Sequence, residues 1–357
     1  MKATAIVALL VMSLVCVSGK DTFTCPKNCK CSKVLVDCKL KKYHAKDFAS
    51  VPETAILHIE SSSQVLFPDD SLPRVRQLEI NAPGSEIEGY AWNKAADQLE
   101  LLELEGVRLR DAHTSFKLLR ALRKVKITAA ALNGLNLKKF KIHFDEKNPL
   151  AKLAIIGSDL SKLTSITVPN YIEKLTLDSC NLTEIPTQLS NLSNLEYLSL
   201  KYNHIKKMIN LPKKSTIINL NWNRISSIRN VPNGTLKLSL SKNNITRIKN
   251  IPASVIILDL SKNNITKIRK TSFQPNSELM KFILTSNKHQ NMTISKRAFK
   301  NTPKLLLIDL RGTVFEAPPE AFTSLLHLTD LVVDPRYSDL CHSVNKKIGV
   351  NICTLEE

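Results

Sequence analysis

Hydrophobic residues return at fixed intervals in the centre of the chain. Four segments share one order of apolar and polar residues: LKYNHI from Leu200, LNWNRI from Leu220, and LSKNNI from both Leu240 and Leu260. The step is 20 residues each time, so leucines and one asparagine fall in register. An apolar-x-Leu pair ends at each of these leucines and predicts a short strand. A fixed period of this length predicts a solenoid whose stacked turns share one core.

The apolar-x-apolar pair recurs along most of the chain and predicts about thirteen repeats between residues 53 and 333. Successive side chains of a strand face opposite sides, so the strands should form a parallel sheet with an apolar inner face. The expected strand cores are Leu57–Ile59, Leu78–Ile80, Leu102–Leu104, Val125–Ile127, Leu153–Ile155, Leu175–Leu177, Leu198–Leu200, Ile218–Leu220, Leu238–Leu240, Leu258–Leu260, Phe282–Leu284, Ile308–Leu310 and Leu331–Val333.

The inward asparagine is missing from the early repeats, where its position holds Ser62, Pro83, Val107, Ala130 and Ser158. In the regular repeats we expect the asparagine amide to hydrogen-bond buried backbone groups of the next turn. The N-terminal repeats must satisfy those groups in another way, so a less regular curvature is predicted there.

The outer side of the repeats changes character along the chain. The motifs N-L-P, N-V-P and N-I-P, which begin at Asn210, Asn230 and Asn250, predict extended outer segments because proline fixes φ and lacks an N–H donor. The later repeats are longer and carry Phe273 and Phe299, with Phe322 in the last of them. That spacing leaves room for a helical turn with an inward phenylalanine.

The two ends of the chain indicate export. Residues 1–19 combine Lys2, an apolar run and small residues at a cleavage position, which predicts a signal peptide. After residue 20 no apolar run approaches the roughly 20 residues that span a bilayer, so no membrane span is expected. The predicted organisation is a cysteine-rich N-terminal cap at 20–52, the repeats, and a C-terminal cap at 334–357.

Seven of the eight cysteines remain after the signal peptide, which contains Cys16. Clusters near both ends indicate disulfide-stapled caps in an oxidising compartment. The alternative for the first cluster is a zinc site, although its spacing lacks a second ligand pair of finger type. Cys180 stands alone and is interpreted as a buried structural thiol. The clustered cysteines are Cys25, Cys29, Cys31 and Cys38 at the N-terminal end and Cys341 and Cys353 at the C-terminal end.

With its repeats and the cap sequence CPKNCKC…C, the chain resembles the extracellular leucine-rich repeat proteins of animals. The resemblance implies an α/β solenoid, a leucine-rich repeat horseshoe with a parallel concave sheet and a mostly extended or short-helical convex side. It also implies the pairs Cys25–Cys31, Cys29–Cys38 and Cys341–Cys353. The layout resembles the leucine-rich immune proteins of insects and, less closely, the small leucine-rich proteoglycans. Such proteins bind proteins, glycans or microbial surfaces.

Export makes N-glycosylation at Asn-x-Ser/Thr motifs an expectation for this chain. Two of the motifs occupy the same position of successive repeats, directly after the inward asparagine, where the side chain should face solvent. The six expected sites are Asn181, Asn191, Asn233, Asn244, Asn264 and Asn291.

Positive charge is concentrated in the regular repeats. The formal net charge of the whole chain is +19, and residues 201–270 contain fifteen Lys and Arg but one acidic residue, Asp259. Equivalent repeat positions place these cations in columns, which suggests an anionic partner such as a sulfated glycosaminoglycan. Solvated surface charge is the alternative interpretation. The expected anion-binding residues are Lys207, Arg229, Lys242, Arg247, Lys249, Lys262, Lys267 and Arg269.

Outward strand positions should form the partner-binding surface of the concave sheet. Ile257, Ile283 and Leu307 are expected to make one contiguous apolar patch, as partner sites often do. The full expected set adds Tyr197, Ile217 and Trp222.

The sequence contains no phosphate-binding loop, zinc-protease helix motif or nucleophile elbow. We therefore expect no catalysis, no cofactor and no metal site, and no nucleic acid partner. The expected function is a secreted protein that recognises a protein or microbial-surface ligand in innate immunity. Two alternatives stay open: a matrix or cell-surface protein that binds sulfated glycans, and a non-catalytic subunit or inhibitor of a secreted enzyme.

Overall fold

The computed structural model describes residues 23–110, 116–129, 140–289, 291–323 and 325–356, so the predicted signal peptide and Ala130 lie outside the described residues. Within these ranges sixteen strands form one sheet, and each neighbouring pair is parallel except the first. In order across the sheet the strands are Cys29–Cys31, Leu35–Lys39, Ile56–Glu60, Gln77–Asn81, Leu101–Glu105, Lys124–Thr128, Lys152–Ile156, Lys174–Asp178, Tyr197–Ser199, Ile217–Asn219, Lys237–Ser239, Ile257–Asp259, Lys281–Ile283, Leu307–Asp309, Asp330–Val333 and Cys353–Leu355.

The solenoid and its parallel sheet are confirmed. Each of the thirteen predicted strand cores coincides with a strand, and the inner residues of the pairs are buried. The strands Leu35–Lys39 and Cys353–Leu355 extend the sheet at its two ends, and neither end strand was predicted from the repeat pattern.

Short elements cover the convex side, as the fold class predicts. Residues 201–256 contain no convex helix or strand, so the proline-containing outer segments are extended. Phe273, Phe299 and Phe322 are buried in a row, with ring centroids 5.9 Å apart at both steps. The convex strands are Leu66–Phe67, Glu86–Ile87, Arg108–Leu109, Phe140–His143, Leu163–Thr167, Lys267–Ile268, Met292–Ile294 and Phe315–Glu316. The 3-10 turns are Ala45–Phe48, Thr187–Asn191, Lys270–Ser272, Pro319–Ala321 and Pro335–Tyr337, and the C-terminal α-helix is Ser338–Ile348.

The inward asparagines bond in the direction opposite to the one expected. Asn263 Nδ2 donates to the carbonyl oxygens of Leu240 and Leu260, both at 2.9 Å, and the N–H of Ile245 donates to Asn263 Oδ1 at 3.0 Å. The amide therefore joins its own turn to the preceding turn, whereas the next turn was predicted. Its neighbours at equivalent positions, Asn203, Asn223 and Asn243, bond in the same way.

A second asparagine ladder holds the convex side. Asn210, Asn230 and Asn250 adopt positive φ, and each Nδ2 donates to a carbonyl oxygen of the preceding turn at 3.1–3.3 Å. Asparagine tolerates the left-handed region, and the proline two residues later removes a donor that would otherwise need a partner. The N-x-P motif is therefore a stacking device as well as a helix breaker.

The early repeats satisfy their buried backbone with serines. Ser61 Oγ donates to the carbonyl oxygen of Leu40 at 2.6 Å, and the N–H of Val65 donates to Ser85 Oγ at 2.9 Å. Both serines are buried, whereas Ser62 and Pro83, which were expected at the inward position, are exposed. Val107 and Ser158, expected at the same position after strands of five residues, are buried, so the displacement is confined to the first repeats.

Disulfides close both ends, with the pairing that the resemblance implies: Cys25–Cys31, Cys29–Cys38 and Cys341–Cys353. Because the N-terminal cysteines are bonded to one another, their thiolates are not available to hold zinc.

At the C-terminal end, the disulfide joins the helix Ser338–Ile348 to the last strand. Tyr337 completes this cap, since its hydroxyl accepts the N–H of Phe315 at 2.7 Å and so takes the part of an inward asparagine. Across the described ranges no helix is long and apolar enough to cross a membrane.

Candidate functional site

The concave face carries outward side chains in columns that run across the strands. In the N-terminal repeats these columns are charged, and ion pairs neutralise part of that charge. Glu103 accepts hydrogen bonds from Lys124 Nζ at 2.7 Å and Lys126 Nζ at 3.1 Å. Burial alone would raise the pKa of Glu103, but the two lysines outweigh it and hold that pKa below its ordinary value. Glu79, which lies opposite Glu103 on the neighbouring strand, forms no ion pair with the residues that the structure describes, so the neutralisation of this part of the sheet is partial.

The expected contiguous patch of Ile257, Ile283 and Leu307 is wrong. Lys281 lies between Ile257 and Leu307 in one column, and Ile283 lies in the neighbouring column with a carboxylate on either side. Two of the residues come directly before the inward apolar residue of their strand, whereas Ile283 comes directly after it. Apolar and charged residues therefore alternate on this part of the sheet. Tyr197 and Ile217 are adjacent in the same column as Ile257.

A continuous apolar ridge does exist, at the position directly before each strand. It consists of Leu236, Ile256, Met280 and Leu306, which are joined turn by turn by backbone hydrogen bonds of 2.8–2.9 Å. Leu236, Met280 and Leu306 are exposed, and Ile256 is half-buried. These residues lie just before the strands, where strand alternation does not predict which way a side chain points.

Trp222 lies at the opposite edge of the sheet in a second cluster. Its ring is 45% exposed and packs against Tyr202, with the centroids 5.0 Å apart. On its other side Lys242 Nζ lies 4.2 Å from the ring centroid, a cation–π distance. Sequence reasoning assigned Trp222 and Lys242 to different surfaces and missed Tyr202. We call these three residues the aromatic edge.

The backbone holds this cluster in an unusual conformation. Tyr202, Trp222, Lys242 and Lys262 occupy equivalent positions and have φ of 55–57°. Large side chains rarely adopt the left-handed region, which costs roughly 1–2 kcal/mol per residue. The N–H of Trp222 donates to the carbonyl oxygen of Ser241 at 2.8 Å, so the loop is fixed from turn to turn. Ser179 and Ser286 adopt the same conformation at the equivalent position of other repeats, so the positive φ belongs to the repeat turn and the exposed rings are placed on it.

The expected anion-binding residues separate onto two surfaces. Lys242 and Lys262 belong with the aromatic edge, whereas the others lie on the convex side. Two adjoining clefts there have volumes of about 390 Å³ and 310 Å³. Both are lined by Arg247 and Lys249, so the clefts form one groove. Lys207 lines neither cleft, because both clefts are formed by later turns of the solenoid. We call this groove the convex groove; its cations are Arg229, Arg247, Lys249, Lys267 and Arg269.

The cations of the regular repeats lack acidic partners. Within residues 201–270, all of which the structure describes, Lys201 is the one cation that forms an ion pair, to Asp178 at 3.7 Å. The N-terminal convex side differs: Arg110 pairs with Glu86 at 2.7 Å and with Glu88 at 2.6 Å. Among the described residues, the arginines within 201–270 therefore lack the carboxylate partners that Arg110 has.

All six expected glycosylation sites have exposed side chains, and their occupation stays a prediction. The sites at Asn244 and Asn264 lie beside the convex groove, since Thr246 and Thr266, the third residues of their motifs, line it.

Cys180 is fully buried, and its thiol contacts the carbonyl oxygens of Asp178 and Ile155. Burial raises the pKa of this thiol to about 12, which agrees with a structural thiol.

Comparison with known proteins identifies the fold. The family described as leucine rich repeat matches residues 253–315, and no curated protein sequence matches the chain. An internalin from Listeria monocytogenes is similar in structure, at 13% identity over 91% of this chain and 87% of its own, with a TM-score of 0.50. The plant peptide hormone receptor RGFR1, in complex with RGF2, covers 84% of this chain at 16% identity with a TM-score of 0.53.

TLR13 in its complex with ssRNA13 covers 83% of this chain at 18% identity, with a TM-score of 0.55. This chain spans 51% of the plant receptor and 49% of TLR13, about half of each. At these identities the likeness shows the fold alone, that of a leucine-rich repeat solenoid, and the family match is confined to residues 253–315.

Proposed function

We propose that this protein is an exported, non-enzymatic binding protein that recognises an extracellular protein or a microbial surface through its concave side. The observation that carries the proposal is the aromatic edge, where Trp222 stays exposed between Tyr202 and Lys242. Tryptophan and tyrosine are among the residues that most often dominate binding energy at protein interfaces. The disulfide caps support an oxidising compartment.

The exposed surface is large enough to matter energetically. With 45% of its side chain in water, Trp222 has roughly 100 Å² left to bury, which corresponds to about 2.5 kcal/mol on complex formation. The backbone of Trp222 is already fixed, so ordering its ring on binding costs little conformational entropy.

The apolar ridge supplies a second contact on the other edge of the same sheet. A partner that lies across the strands from Trp222 to Met280 would cover both edges and the half-buried Ile257 between them. Specific interfaces bury about 800 Å² per partner, which sets the scale for such a contact.

The candidate ligand classes come from the similar structures and from the resemblance to insect immune proteins. An experiment must distinguish between these classes. Among the similar structures, the plant peptide hormone receptor RGFR1 is in complex with RGF2 and TLR13 is in complex with ssRNA13. The layout resembles insect immune proteins, which is why we propose a role in innate immunity and include microbial surfaces among the probes.

Affinity purification with the tagged full-length protein tests the proposal. The bait is incubated with extracellular fluid of its source organism and, separately, with bacterial and fungal cells. We expect a retained partner or microbe that Trp222→Ala loses, with binding weaker by about 30-fold or more. Tyr90→Ala is the matched control, because Tyr90 is 53% exposed and lies away from the aromatic edge. Retention of nothing, or equal binding by Trp222→Ala, would overturn the proposal.

A further inference from the structure

We infer that the convex groove is a second binding site, which takes a linear sulfated polysaccharide. It lies on the side of the solenoid opposite the sheet and shares no residue with the aromatic edge. The inference therefore goes beyond the proposed function, and either can fail without the other.

The groove is built by the alternation of the convex backbone. Arg247 and Lys249 point outward on either side of Ile248, which is buried in the core. One turn later Lys267 and Arg269 repeat the arrangement around a buried isoleucine, and Arg247 forms a parallel bridge with Lys267. The side chains of the groove therefore stand on backbone that the turn-to-turn hydrogen bonds hold in place.

This arrangement is unfavourable unless an anion is present. Adjacent turns of a parallel ladder lie roughly 5 Å apart, so Arg229, Lys249 and Arg269 form a row of like charges at that spacing. Like charges at such distances repel, and neither cleft is lined by an aspartate or glutamate. On the N-terminal convex side Arg110 is paired with two carboxylates, whereas this row is unpaired, which indicates a ligand that supplies the negative charge.

The length of the row points to a polymer. From Arg229 to Arg269 it crosses two turns, on the order of 10 Å. A single sulfate or phosphate forms hydrogen bonds of about 3 Å and cannot reach both ends. A chain with anionic groups at regular intervals can contact every turn.

The chemistry of the lining favours a sugar chain over a nucleic acid. Hydroxyl groups stand between the cations and match ligands that carry both hydroxyl and sulfate groups; they come from Ser226, Ser227, Thr246, Thr266, Thr271 and Ser272. Neither cleft is lined by an aromatic residue, although single-stranded nucleic acids are held largely by base stacking on aromatic rings.

The test compares two variants that each lose two positive charges from the regular repeats. Arg247→Gln with Lys249→Gln removes two cations that line both clefts. Lys213→Gln with Lys214→Gln removes two exposed lysines that line neither. The probes are a heparin octasaccharide, the same octasaccharide after desulfation, and a single-stranded DNA of equal charge. Dissociation constants are measured for the full glycosylated chain at NaCl concentrations from about 50 to about 300 mM, because their salt dependence reports the number of ionic contacts.

We expect heparin binding to weaken at least tenfold in the groove variant and less than twofold in the lysine control. The slope of log Kd against log salt should fall by about two, because two contacts are lost. Trp222→Ala should bind heparin normally. If the groove variant fails to fold by circular dichroism, the single change Lys249→Gln replaces it.

Three results would overturn the inference. The first is equal loss in the groove variant and the lysine control, which would show unspecific charge attraction. The second is binding of the desulfated sugar as strong as that of heparin. The third is tighter binding of the DNA, which would make the groove a nucleic acid site.

Discussion

Lys242 Nζ lies 4.2 Å from the centroid of the Trp222 ring, and Lys262 occupies the equivalent position of the next turn. The exposed tryptophan therefore stands in a positive local field. The other tryptophan, Trp92, is fully buried, so collisional quenching of fluorescence reports on Trp222 alone.

We predict that iodide quenches the fluorescence of the folded protein more strongly than caesium at equal concentration. The local positive charge attracts the anion and repels the cation, and screening by added salt should reduce the difference. Stern–Volmer constants for wild type and Lys242→Gln provide the measurement. The variant should lose part of the iodide preference. Equal quenching by both ions in wild type would contradict the geometry.

The inward asparagine should dominate stability over its sequence neighbour. Asn263→Ala leaves buried backbone groups of two turns without partners, which should cost about 3 kcal/mol. Asn264→Ala changes an exposed side chain and should stay within about 0.5 kcal/mol of wild type. Urea denaturation of both variants after enzymatic removal of N-glycans gives the comparison. Similar midpoints for the two variants would argue against the asparagine ladder.

Cys180 should make stability depend on pH above 9. Burial raises the pKa of its thiol from 9.0 to about 12, so the folded state holds the proton more tightly than the unfolded state. The stabilising contribution is complete below pH 9 and is lost as the pH rises towards 12, by at most about 1.4 kcal/mol per pH unit.

The denaturation midpoints of wild type and Cys180→Ala, compared at pH 7 and pH 10, isolate this contribution from other titrating groups. We expect the advantage of wild type to shrink at pH 10. A constant difference between the two proteins would show that the thiol is already exposed or ionised in the folded state.

Tyr337→Phe should loosen the C-terminal end without unfolding the array. The change removes the hydroxyl that accepts the N–H of Phe315, while the ring stacking of the two residues, at 4.2 Å between centroids, can remain. Hydrogen exchange should speed up at Phe315 and in the strand Phe315–Glu316, and stay unchanged at Ile245. Tyr90→Phe, at an exposed position, is the control. Unchanged exchange at Phe315 would contradict the assignment of Tyr337 as the last rung.

The regular repeats were the most predictable part of the protein. A 20-residue period with leucines at constant offsets leaves few ways to bury its apolar residues, so the strand from Leu238 to Leu240 could be placed without coordinates. The direction of the asparagine hydrogen bonds could not be predicted, because the preceding repeat and the next repeat have the same residue types at the same positions. Asn263 bonds backwards because its turn closes against the carbonyl oxygen of Leu240.

The surfaces were predicted less well, for a reason of register. Ile257 and Ile283 both face outward, but they stand on opposite sides of an inward residue, and strand pairing puts Lys281 opposite Ile257. The apolar ridge could not be predicted from the sequence, because Met280 and its equivalents lie just before the strands. There the repeat period alone does not show which way a side chain points.

The sequence by itself determined the solenoid, the parallel sheet and the excess of positive charge in the central repeats, because these follow from composition and spacing along one dimension. The cysteine pairing came from resemblance and agrees with the structure. Only the tertiary structure decided which charges meet. It placed Lys242 against Trp222 on the sheet edge and Arg247 beside Lys249 in the groove. The physical reason is that each turn folds around its core, so neighbours along the chain can face opposite sides while residues 20 apart touch.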